Sequence, residues 1–112
     1  MSHEMKTERW SAISSLVLSE QSVRAMHQPS SHYRISLYTY PAAAQIDGRQ
    51  RAGRVYVLSG GCQITMTADV VQLEASEFVD LPAGDYRLQV LGDRECKMVH
   101  VWQLPPDFWP AT

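Results

Sequence analysis

The sequence predicts an all-β domain, a sandwich or barrel of short strands. Three observations carry that prediction. From Tyr33 onward, apolar and β-branched residues alternate with polar ones in short runs. Gly, Pro and Asp punctuate the runs, roughly every eight to twelve residues, as in β-sandwiches and barrels. No stretch carries the apolar period of a helix of ordinary length. At 112 residues the chain suits one domain with a single core.

Residues 1–8 are polar and expected to fray, so that tails at 1–9 and 105–112 flank a core of about 33–104. Trp10, Ile13, Leu16 and Val17 fit a helical turn or two, but residues 14–18 also fit a strand. Period alone does not separate these, and the strand is favoured because the later segments are β. It leads into polar SEQS, a brief stretch at 23–26 and a loop at 27–31 (HQPSS). Tyr33–Tyr40 is a clear strand, with Tyr33, Ile35, Leu37 and Thr39 on one face and Arg34, Ser36, Tyr38 and Tyr40 on the other. Pro41 ends it, having no N–H for a ladder.

Residues 42–52 (AAAQIDGRQRA) show no period and read as a loop. Such loops often carry function, and Arg49, Arg51 and the adjoining Arg54 concentrate charge here. A strand at 54–59, a hairpin turn at Gly60-Gly61 and a partner strand at 62–67 follow. Strands at 70–73 and 77–81 come next, then the turn Pro82-Ala83-Gly84-Asp85. In the strand at 86–90, Tyr86, Leu88 and Val90 oppose Arg87 and Gln89; the last strand spans 97–104. The proline-broken tail leaves Phe108 and Trp109 to lie on the body or on a partner.

Composition narrows the function classes. Ten Lys and Arg against twelve Asp and Glu give a net charge of −2, which argues against a nucleic-acid partner. No apolar run approaches a membrane span, and the charged N-terminus has no apolar core behind it, so neither a membrane partner nor a secretory signal is expected. Two cysteines, Cys62 and Cys96, make no disulfide framework, and the cytoplasm is the expected location.

One block is more specific. Val55-Tyr56-Val57-Leu58 with Gly60 or Gly61 is followed by Leu73, Val79 and Pro82-Ala83-Gly84. In this order and spacing they make residues 33–104 resemble the small single-domain cupins. The chain departs from that pattern at Ser76-Glu77, where the family usually has Gly-Asp. The resemblance implies a cupin-like double-stranded β-helix, the jelly-roll barrel, as a single domain. It also implies a homodimer formed through outer strand faces.

The same resemblance locates the family's metal ligands. Metal-binding members carry two histidines one residue apart and then a glutamate, just before the Val-Tyr-Val strand. A third histidine follows three residues after the glycine of Pro-x-Gly. Here the glutamate slot falls on Arg54 or Gly53, the histidine pair within residues 46–50, and the last histidine on Arg87. Asp47 supplies one donor at best, and arginine has no lone pair to give. The metal-ligand motif is not retained, and no cofactor is expected.

Positive charge takes its place. If Arg54 and Arg87 occupy former ligand positions, they face each other across the barrel mouth and suit a small anionic molecule. Tyr38, Tyr56, Tyr86, His100 and Trp102 would line that pocket. The plainer alternative pairs the arginines with Glu77, Asp80 or Asp85, or leaves them in water. His100 reads first as a wall histidine bonded to a neighbour, His27 and His32 as loop histidines in solvent, and the two cysteines as small apolar packing. The serines lack a G-x-S-x-G turn, and Glu74, Glu77 and Asp80 make an acidic edge. A metal-free binding or regulatory module is therefore favoured over an isomerase or dioxygenase built around His100, and over a scaffold that meets its partner through Phe108-Trp109 or an outer strand face.

Overall fold

The structure is a computed structural model describing residues 5–67 and 69–108. Its strands are β1 (Thr7–Arg9), β2 (Tyr33–Tyr40), β3 (Gln45–Gln50), β4 (Gly53–Ser59), β5 (Gly61–Met66), β6 (Asp69–Glu74), β7 (Glu77–Leu81), β8 (Gly84–Val90) and β9 (Cys96–Gln103). One sheet has the order β1-β7-β4-β9-β2 and the other β3-β8-β5-β6. All the pairings are antiparallel. Two facing sheets with this order form a jelly-roll β fold, as the sequence predicts.

Side chains alternate across each strand, so each sheet has two faces with different fates. β4 turns Val55 and Val57 toward the space between the sheets, where Ile64, Leu73, Leu88 and Met98 fill the core. The intervening Tyr56 points to the opposite face and packs with Trp10, Val23, Phe78, Val99 and Val101. That second core exists because a short helix, α1 (Glu20–Met26), covers the outer face of the five-stranded sheet. Val23 is its fully buried anchor. Among the described residues, no helix is long and apolar enough to cross a membrane.

Several expectations need correction. Residues 14–18 form no strand; Ser19 caps α1 instead. Ser19 Oγ accepts from Ser22 N at 3.1 Å, while Ser19 N donates to Ser22 Oγ at 2.8 Å, so the polar SEQS is the start of a helix. Met5–Arg9 is not frayed, since Thr7 pairs with Val79 and Met5 N donates to Asp69 Oδ2 at 2.9 Å. The loop at 42–52 contains β3, an edge strand paired on one side with β8. Its polar residues are tolerated because an edge strand packs one side only, and Ile46 supplies the core contact.

Gly60-Gly61 is not a hairpin turn, because β4 and β5 lie in different sheets. It is a corner where the chain crosses between layers. Gly60 has φ +78°, and a Cβ there would strike Glu95 O and come within 2.9 Å of Cys96 Cα. Both the conformation and the close approach require glycine. Pro82-Ala83 is another of the crossings, from β7 to β8.

Candidate functional site

Cross-strand register builds the inner face of the five-stranded sheet in layers. Arg34 lies opposite Trp102, Ser36 opposite His100, Tyr38 opposite Met98 and Tyr40 opposite Cys96. The expected face of β2 holding Arg34, Ser36, Tyr38 and Tyr40 is therefore the one turned toward the barrel. Across from it, β3 and β8 bring Gly48 opposite Tyr86 and Gln50 opposite Gly84. Together these strands open a cavity of about 530 Å³, lined by Arg34, Arg49 and Arg51 and by Tyr38, Tyr86 and Trp102. Gln50 and Phe108 also line it. Trp109 lies outside the described residues.

Two glycines make room for the rings. A Cβ on Gly53 would strike Val101 O and the Trp102 ring, and one on Gly48 would sit 3.0 Å from the Tyr86 hydroxyl. Small residues at these two points let the mouth be walled by aromatic faces. Deeper in, His100 contacts Tyr38 and Trp102 edge-on, with ring centroids 4.9 and 5.1 Å away. Its Nε2 lies 3.4 Å from Tyr40 Oη. Burial lowers the His100 pKa to about 4, so the imidazole is neutral at pH 7. Burial also raises the Tyr40 pKa, with neighbouring tyrosines and cysteines adding to it.

The polar groups of the mouth are unequally satisfied. Arg49 pairs with Asp85 at 3.2 Å, but both are largely exposed and the pair is weak. Arg34 and Arg51 have no carboxylate partner among the described residues. Gln50 is only 8% exposed and donates through Nε2 to Pro82 O at 3.2 Å. Its Oε1 is the one buried side-chain oxygen or nitrogen among the described residues that has no hydrogen-bond partner.

The structure separates the seven residues expected to form the site. Tyr38, Tyr86 and Trp102 line the mouth, and His100 packs behind Tyr38 and Trp102. Arg54, Tyr56 and Arg87 do not. Arg54 lies on the outer face of its sheet beside Tyr56, its guanidinium 4.5 Å from the Phe78 ring centroid and doubly bonded to Asp80 at 2.6 and 3.1 Å. Burial opposes its charge, but the Asp80 and Tyr56 bonds outweigh that and raise its pKa. Arg87 alternates with the core residues Tyr86 and Leu88, so it points outward, bonded to Asp47 at 2.7 Å. That bond holds the Asp47 carboxyl below its usual range. Arg54 and Arg87 therefore do not face each other across the mouth.

His27 is not a solvent histidine either. Its Nε2 is 2.7 Å from Tyr56 Oη, and burial, helped by Arg54, lowers its pKa. Cys62 and Cys96 are free and meet in the core, where the hydrogen bond between the thiols, and then burial, push Cys62 far above its ordinary pKa. The residues missed from sequence are Arg34 and Gln50. Arg34 had a signal, since it shares a strand face with Tyr38 and Tyr40. Gln50 had none once β3 was read as a loop.

The family resemblance raises the question of a metal. Among the described residues, no group of three or more His, Cys, Asp and Glu stands close enough to hold an ion. Beside three guanidinium groups, the mouth offers two phenols and one amide oxygen, with one neutral imidazole behind them, a donor set that does not fit a transition metal.

The sequence matches no protein-family profile and no curated protein. Solved structures do match. A cupin domain of an XRE family transcriptional regulator from Enterobacter cloacae is similar, with TM-score 0.61 and 10% identity, over 90% of this chain and 97% of that one. The Cnp3 cupin domain of Schizosaccharomyces pombe matches with TM-score 0.58 and 13% identity over 70% of this chain. Salicylate 1,2-dioxygenase from Pseudoaminobacter salicylatoxidans matches with TM-score 0.56 and 13% identity over 65%. The chain spans 59% of the Cnp3 domain and 20% of the dioxygenase. At these identities the likeness establishes a cupin fold, which is found here in both a regulator and an enzyme.

Proposed function

We propose that this chain is a binding or regulatory module that takes a small organic anion in the mouth of its barrel. The observation that carries the reading is the meeting of Arg34 and Arg51, both without a carboxylate partner among the described residues, with an aromatic wall at one cavity. A guanidinium fork suits carboxylate or phosphate, and aromatic faces add apolar contact and ring stacking. The arginines differ from those picked out in the sequence, but the chemistry is the same.

An enzyme built around His100 has less support. A base whose conjugate acid has a pKa of about 4 is weak at neutral pH, and the imidazole is 2% exposed. The homodimer implied by the resemblance is carried forward as a second expectation. Sedimentation velocity should give twice the 12.7 kDa chain mass; a species of one chain mass rejects it.

Benzoate is a suitable first probe, followed by calorimetry or tryptophan fluorescence. Arg34→Ala with Arg51→Ala should weaken its binding by about tenfold or more, from the loss of charged hydrogen bonds. Added salt should weaken it as well. Arg87→Ala, on the far face, should leave it unchanged. Binding that ignores the first pair of substitutions rejects the reading.

A further inference from the structure

Gln50 sits on β3 at the inner edge of the mouth, 92% buried by its 8% exposure. Its amide orientation is fixed chemically. Nε2 donates to Pro82 O at 3.2 Å, and exchanging the two ends would set two carbonyl oxygens face to face. Oε1 is thereby committed as an acceptor, yet it has no partner among the described residues. A buried acceptor without a donor is costly, and the cost disappears when a donor arrives. The groups around it at the mouth, Arg34 and Arg51, Tyr86 and Trp102, suit an anionic aromatic molecule.

We infer that the molecule taken by this mouth carries a hydrogen-bond donor, a hydroxyl or amino group, which Gln50 Oε1 accepts while Arg34 and Arg51 hold its anionic group. The inference rests on the anion-binding reading and adds the chemical class of the ligand: a hydroxylated or aminated aromatic acid rather than a plain one. Oε1 exposes less than 1 Å², so the donor reaches it by moving a flanking side chain aside. Only a ligand able to satisfy the acceptor offsets that displacement. Sites built around a buried polar partner reject the analogue that lacks it far more strongly than apolar pockets reject a change of size. Gln50 is thus the specificity-determining residue of the mouth, and the arginines set its charge preference.

The test compares 3- and 4-hydroxybenzoate with benzoate by calorimetry. The 2-isomer is omitted because its hydroxyl is tied to its own carboxylate. At least one hydroxylated probe should bind the wild type about tenfold tighter than benzoate, the worth of one hydrogen bond to a buried acceptor. In Gln50→Met, which fills similar space and keeps only a weak thioether acceptor, the ratio should fall to about one. Equal binding of all three probes, still dependent on Arg34 and Arg51, overturns the inference and leaves the anion reading standing. So does a preference that survives Gln50→Met. Binding indifferent to Arg34 and Arg51, or no binding of any probe, overturns both. If the variant fails to fold, the Gln50 side-chain amide resonances of the wild type decide. They should shift with the preferred hydroxylated probe and much less with benzoate, and equal shifts with both overturn the inference.

Discussion

Ser76 shows how a departure from a pattern becomes a physical statement. It stands where the resembled family usually has glycine, and it adopts φ +72°. Its backbone is pinned there, since Ser76 N donates to Val57 O at 2.9 Å and Trp10 N donates to Ser76 O at 2.8 Å. A side chain in the left-handed region is strained, so Ser76→Gly should stabilise the fold by about 1 kcal/mol. Chemical denaturation reads this directly, and a loss of stability contradicts it. His100 gives a second prediction. Its folded pKa of about 4 lies below the 6.5 of the unfolded chain. The unfolded state therefore binds more protons between those values, and stability is full above pH 6.5 and falls as pH drops toward 4. The 2.5-unit gap amounts to about 3 kcal/mol. The rings of Tyr38, Tyr40 and Trp102 that face His100 bring no compensating charge. His100→Leu should flatten most of this acid dependence. A smaller slope from His27, lowered in the same direction, should remain.

At the scale of elements, legibility followed how strongly each segment stated its period. β2 was readable to the residue, because eight residues of tyrosine, isoleucine and threonine alternation leave little choice. β3 was hidden because QIDGRQ has low strand propensity and an edge position asks little of it. α1 was hidden because seven residues give one deeply buried apolar anchor rather than a stripe. Its signals were local instead: a reciprocal Ser19–Ser22 cap and a Glu20–Arg24 pair at 2.9 Å. The helix matters because it closes the second core over Tyr56 and Phe78. Val23→Ala should cost about 2 kcal/mol, and urea midpoints measure it. An effect near zero would mean that α1 does not dock.

For the whole molecule, the β-block motif and the recurrent turns were enough to give the jelly roll. The crossings between sheets were not legible, since a glycine turn looks alike in a hairpin and at a corner. That limit also explains the misplaced arginines. Strand faces alternate at every residue, so reading Arg54 rather than Gly53 as the inward position moves a charge from the outer face into the mouth. The same slip placed Arg87 inward, where Tyr86 and Leu88 belong. The charged mouth survived because Arg34, Arg49 and Arg51 reach the same cavity from β2, from β3 and from the residue just after β3. Anion binding at the mouth is read most directly by amide and side-chain shift mapping by NMR, with 4-hydroxybenzoate titrated into labelled protein. Shifts are expected at the Gln50 side-chain amide, the Trp102 indole and Arg34. Shifts clustered instead at His27 and Arg54 on the outer face, or none at saturating probe, would contradict binding at the mouth.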